Sequence, residues 1–130
     1  MKQIILILSL LLAISAISQT TITDTLTMIK TSKKRSITIS LPASYNKEKT
    51  KTYPLLIVLD GYYLTAPFEG VLRYGNYWDD LPEMIVVGID QNNNDERFDD
   101  SATDDEGLPK GKGADFFEFL GSKEIGRAHV

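Results

Sequence analysis

The chain contains no cysteine, one histidine and one tryptophan in 130 residues. Without cysteine, disulfides, thiol catalysis and thiolate metal sites are all excluded. The single histidine is His129, beside the terminus. A side chain there is ordinarily solvated and idle, so imidazole chemistry has no candidate in the body of the chain. Positive charge is also scarce: 14 Lys and Arg stand against 18 Asp and Glu, a formal net charge of −4. That balance gives a nucleic acid no electrostatic footprint. The serines of the body, Ser32, Ser36, Ser40, Ser44, Ser101 and Ser122, all lack the G-x-S-x-G frame of a hydrolase nucleophile.

One long apolar run is present, from Ile4 to Ile14, broken by Ser9. Lys2 precedes it, and Ala16-Ile17-Ser18 supplies a small-x-small site before polar Gln19. This is the layout of a secretory signal peptide over residues 1–18, cleaved after Ser18. A stable membrane anchor needs about 20 apolar residues, more than the run provides. The expected address is therefore outside the cytoplasm, in a bacterial periplasm or secreted. With 42% hydrophobic and 25% charged residues over its 130 positions, the chain has the composition expected of one soluble globular domain.

Past Ser18 the apolar residues alternate. Ile22, Leu26 and Met28 share one side, as do Ile37, Ile39 and Leu41, which predicts two half-buried strands joined by the charged turn "KTSKKR". "LLIVLD" (55–60) and "EMIVVGID" (83–90) are instead continuously apolar, the signature of strands covered on both faces in a parallel sheet. Between them a short crossover helix is expected, capped by Thr65, with Pro67 in its first turn and Phe68, Val71 and Leu72 at helical spacing. A second helix is expected over "GADFFEFLGSKE", with Phe116, Phe117 and Leu120 as its apolar stripe. The fold class is α/β: two amphipathic strands, then strand, helix, strand, helix.

The segments "RSITISLPASY" (35–45), "YPLLIVLDG" (53–61), "IVVGID" (85–90), Arg97 with Asp100, and "GADFFEFL" (113–120) run in order through the chain. In that order the sequence resembles the putative-esterase branch of the α/β-hydrolases, which includes feruloyl and siderophore esterases. One departure is Ser101-Ala102-Thr103, where relatives carry a Leu-Thr-Pro-like turn. The resemblance implies that the loop leaving the third strand donates a backbone N–H to an oxyanion hole. By position the donor is Tyr62, supported by the turn Asp60-Gly61. Read without the resemblance, Asp60-Gly61 is a strand-ending turn of a common kind.

The family's nucleophile, acid and histidine come later in chain order than any residue here. The resemblance thus implies the N-terminal portion of an α/β-hydrolase sheet, ending before the nucleophile elbow, over residues 19–125. "EIGRAHV" also matches one reading frame of a widely used sequencing adapter, so residues 126–130 are expected to be a non-native tail, with Glu124 and Ile125 ambiguous. Without a fifth strand, the third presents an apolar edge, and a fragment of this kind is expected to be insoluble or partly unfolded.

Between Asp90 and Glu106 eight carboxylates stand against one Arg. An EF-hand is not formed, since the sixth position from Asp90 is Asp95 and the twelfth Ser101. A solvated acidic loop is expected, with an Arg97–Asp100 ion pair ordering it and no metal site. "GLPKGKG" (107–113) lacks the ending of a phosphate loop. "YYLTAPFEGVLRYGNYW" holds four of the six tyrosines and the tryptophan, either lining a pocket or packing as core. Two functional classes follow. One is the opening part of an exported serine esterase, acting on a small-molecule or polysaccharide-linked ester without a cofactor. The other is an exported binding protein without catalysis.

Overall fold

The computed structural model describes residues 20–127. The expected signal segment and residues 128–130 lie outside them. Four strands form one sheet: β1 (Thr20–Thr27), β2 (Lys34–Leu41), β3 (Leu55–Leu59) and β4 (Ile85–Ile89). Their spatial order is β1-β2-β4-β3. The first two neighbours pair antiparallel, while β3 and β4 run parallel in a register that sets Leu59 beside Ile89. Among the described residues no helix is long and apolar enough to cross a membrane.

The helices are α1 (Gly61–Tyr77), α2 (Asn94–Asp100), α3 (Lys112–Leu120) and α4 (Lys123–Arg127). They cover opposite sheet faces, and the strand alternation decides what each meets. Ile37, Ile39 and Leu41 of β2 join Ile85, Val87 and Ile89 of β4 on one face. There they bury against Phe116 and Phe119 of α3 and Ile125 of α4. Ile125 is 1% exposed and so belongs to the packed face of the fold. The other face offers Ser40 and Gly88 to α1. Gly88 packs so close that a Cβ there would lie 1.9 Å from Thr65 Oγ1.

Several expectations need correction. The crossover helix starts at Gly61, four residues before the expected cap, because β3 runs straight into it. Thr65 sits one turn inside, donating its hydroxyl to the Gly61 carbonyl at 2.6 Å. Pro67 is interior, and Phe68 and Val71 face solvent. The inward positions are small residues, Gly61, Thr65 and Gly75, since a close helix approach leaves no room for an aromatic stripe. These aromatics do not pack as core: Tyr62, Tyr74, Tyr77 and Trp78 are all exposed, and Tyr77 borders a surface cavity with Leu72 and Pro82. In α3 the inward partner of Phe116 is Phe119, and Phe117 points out. The segment after β4 is not a featureless loop, because its Asn93 caps α2 by accepting the Glu96 N–H at 2.8 Å.

Candidate functional site

β3 ends at Leu59, and one residue turns the chain into α1. That residue is Asp60, at φ 55° and ψ 40°, in the left-handed region. A non-glycine residue there carries strain on the order of 1 kcal/mol, least for Asn and Asp. The positive φ of this turn is carried by Asp60 and not by Gly61. Gly61 serves a different need: a Cβ on it would lie 2.6 Å from the Gly88 carbonyl carbon and the Ile89 nitrogen. Its missing side chain lets the start of α1 rest on β4.

Tyr62 follows in the first turn of the 17-residue helix α1. The next amides find acceptors, with Tyr63 N–H and Leu64 N–H donating to the Asp60 carbonyl at 3.2 and 3.1 Å. The Tyr62 N–H takes no acceptor among the described residues, as expected for one of the first four amides of a helix. It lies at the positive end of the helix dipole.

The expected Arg97–Asp100 pair is not formed; α2 sends the two side chains in different directions. Arg97 grips Asp60, with Nε donating to Oδ1 at 3.0 Å and Nη2 to Oδ2. Its Nη2 also donates to Tyr63 Oη at 2.7 Å, and that hydroxyl donates to Asp60 Oδ2 at 3.1 Å. The Arg97 hydrogen bonds hold the Asp60 carboxyl below its ordinary value, and Tyr63 adds to this. Asp100 turns inward, where Oδ1 accepts from Arg35 Nη2 at 2.6 Å and Oδ2 from Gln91 Nε2 at 3.0 Å. Burial raises the Asp100 carboxyl above its ordinary value, while Gln91 and Arg35 pull it back.

Arg35, Glu96, Tyr63 and Gln91 were not singled out in the sequence. Arg35 is fully buried, with Nη1 paired to Glu96 and its guanidinium 5.6 Å from the centre of the Phe116 ring. It had a signal: it stands in phase with Ile37, Ile39 and Leu41, and a cation on the buried side of a strand demands carboxylate partners. Beside the Arg97–Asp60 pair lies a surface cavity of about 340 Å³, with Leu59, Phe116, Phe117 and Leu120 among its apolar lining. Among the described residues no group of three or more His, Cys, Asp or Glu is placed to hold a metal.

No family model and no curated protein matches the chain. Solved structures do. An uncharacterised protein from Capnocytophaga ochracea aligns over 82% of this chain and 28% of its own, at 28% identity and TM-score 0.68. BES protein from Bacillus cereus aligns over 83% and 47%, at 20% identity and TM-score 0.63. An IroE-like serine hydrolase from Shewanella oneidensis aligns over 81% and 36%, at 18% identity and TM-score 0.57. The chain thus spans less than half the length of each of these structures. The likeness to these structures is one of fold: the four-stranded sheet and its helices share the mixed α/β arrangement of part of each of them.

Proposed function

We propose that this chain is part of an exported carboxylic-ester hydrolase, and that the Tyr62 N–H is one donor of its oxyanion hole. The observation that carries the reading is the unspent Tyr62 amide at the carboxyl end of a parallel strand. Attack of a serine on an ester carbonyl places negative charge on the carbonyl oxygen. A fixed main-chain donor about 3 Å from that oxygen stabilises the charge without reorganising. The serine forms an acyl-enzyme that water then hydrolyses, a route that needs no cofactor. An exposed apolar cavity next to the turn suits the acyl or aryl part of a small-molecule or polysaccharide-linked ester. The same cavity supports the second reading, an exported binding protein on a hydrolase fold, since fold alone does not establish chemistry.

The test is to sequence the source DNA from the Leu120 codon onward and express whatever frame it encodes. A G-x-S-x-G serine that a fluorophosphonate labels, with turnover of p-nitrophenyl esters, is the expected result. A frame without that serine, or a labelled protein that turns over no ester, sinks the hydrolase reading and leaves the binding one.

A further inference from the structure

An aspartate at the N-cap of a helix ordinarily turns its carboxylate onto the N–H groups two or three residues ahead. Asp60 is the N-cap of α1, yet its side chain caps nothing. Both of its oxygens are taken by Arg97, whose side-chain hydrogen bonds among the described residues go to Asp60 and Tyr63. The Tyr62 N–H, two residues after the cap, is left open, and it is the position an N-cap carboxylate bonds when the cap residue is extended; Asp60 is held instead in the left-handed region. We propose that Arg97 is a positioning residue that holds the Asp60 carboxylate away from the start of α1, and so keeps the Tyr62 N–H free for an incoming oxyanion. The value of an open amide rests on the hydrolase reading; the mechanical part does not.

The way α2 is built fits this role. No residue of α2 is buried, and Phe98 is 73% exposed, so apolar packing does not hold it. Polar contacts do. Arg35 reaches up from β2 to Glu96 and Asp100. Glu96 Oε2 also accepts from the Asn92 backbone N–H and side-chain amide, each at 3.0 Å. The helix is pinned to the sheet on one side and extends Arg97 to the turn on the other. Removing Arg97 frees an anion beside an unpaired N–H at the positive end of a helix. Asp60 then relaxes from the left-handed to the extended backbone of an ordinary N-cap, its carboxylate takes that N–H, and a negative charge sits where an oxyanion must form.

The test is amide hydrogen exchange in the full chain labelled with [15N]tyrosine, whose six tyrosines give six resolvable signals. In Arg97→Ala the Tyr62 N–H is expected to exchange about tenfold more slowly, because a capped amide must open before it exchanges. In the double variant Asp60→Ala/Arg97→Ala the fast exchange returns, since alanine cannot cap. A merely structural arginine has the opposite signature, with faster exchange at Tyr62 and Tyr63 in both variants, and that result overturns the proposal. Unchanged exchange in Arg97→Ala overturns it as well. If Arg97→Ala does not fold, Tyr63→Phe loosens the same grip from an exposed position. It is expected to slow Tyr62 exchange about threefold, and no change there also overturns the proposal. Slowed exchange in a protein whose gene lacks an elbow serine keeps this mechanics and rejects the hydrolase. Unchanged exchange beside a labelled serine does the reverse.

Discussion

β3 and β4 read alike as sequence and behave differently in the fold. "LLIVL" and "IVVGI" are both unbroken apolar runs, and both were expected to be covered on two faces. Every residue of β4 is buried, with Val86, Val87 and Ile89 at 0% exposure. In β3 only Val58 is buried, while Leu55 and Leu59 are 39% and 40% exposed. The difference is position: β4 lies between β2 and β3, and β3 is the outer strand of the described sheet. An apolar run therefore records a strand's membership in a sheet and not its rank within it.

The largest effects should come from the central strand. Ile89→Ala removes a fully buried side chain from the face packed on Phe116 and is expected to cost about 2–5 kcal/mol. Leu55→Ala at the outer strand loses only part of a transfer term and should cost about 1 kcal/mol or less. Denaturant midpoints of the two variants check the contrast, and equal losses would break it. Next in size is Gly88→Ala. The new Cβ meets Thr65 Oγ1 at 1.9 Å and Gly61 Cα at 3.2 Å. Overpacking of this kind is expected to cost about 1–3 kcal/mol. Pairing it with Thr65→Ala should recover part of that loss.

Much of this was legible in the sequence, and what was not has identifiable causes. The four strands, their order in the chain, the crossover helix and the Phe116 helix are all visible in apolar periodicity. The start of α1 was missed because Thr65 and Pro67 form a good local start signal, which tertiary packing of Gly61 on β4 overrides. Its inward face was missed because a close approach to Gly88 selects small residues rather than apolar ones. At the candidate site, Asp60, Gly61 and Tyr62 were found through a resemblance and not through spacing. The partners of Arg97 and Asp100 were misassigned because sequence proximity favours an i,i+3 pair. The actual partners, Asp60 and Arg35, are 37 and 65 residues away.

The ends of the two strands extend the comparison to titration. Asp60 follows β3 and Asp90 follows β4, each one residue past the paired ends Leu59 and Ile89. Arg97 lowers the Asp60 carboxyl, whereas burial alone raises that of Asp90, whose Oδ1 has no partner among the described residues. The signs oppose. A lowered folded value contributes stability above the ordinary carboxylate pKa of about 4, and loses it as pH falls through the lowered value. A raised folded value costs stability at neutral pH, and that cost is relieved as pH falls through the raised value. Stability should therefore rise slightly on mild acidification and fall below about pH 4. Asp90→Asn should flatten the upper limb and Asp60→Asn the lower, measured as midpoint against pH. Asp100, raised mainly by burial, adds to the upper limb.

The smallest change in stability is expected at the outer edge of β3, with the clearest change in behaviour. Its far side offers unpaired backbone groups among the described residues, flanked by exposed Leu55 and Leu59. Such an edge pairs readily with a second copy, and lysine on an edge strand is a common natural guard against this. Leu55→Lys exchanges a part-exposed apolar side chain for a long charged one, so the midpoint should move by about 1 kcal/mol or less. Concentration-dependent association should fall sharply. Sedimentation of the two proteins over the same concentration range decides the point. If association is unchanged while the midpoint moves, β3 is not the sticking edge, and the exposed aromatic face of α1 becomes the surface to alter next.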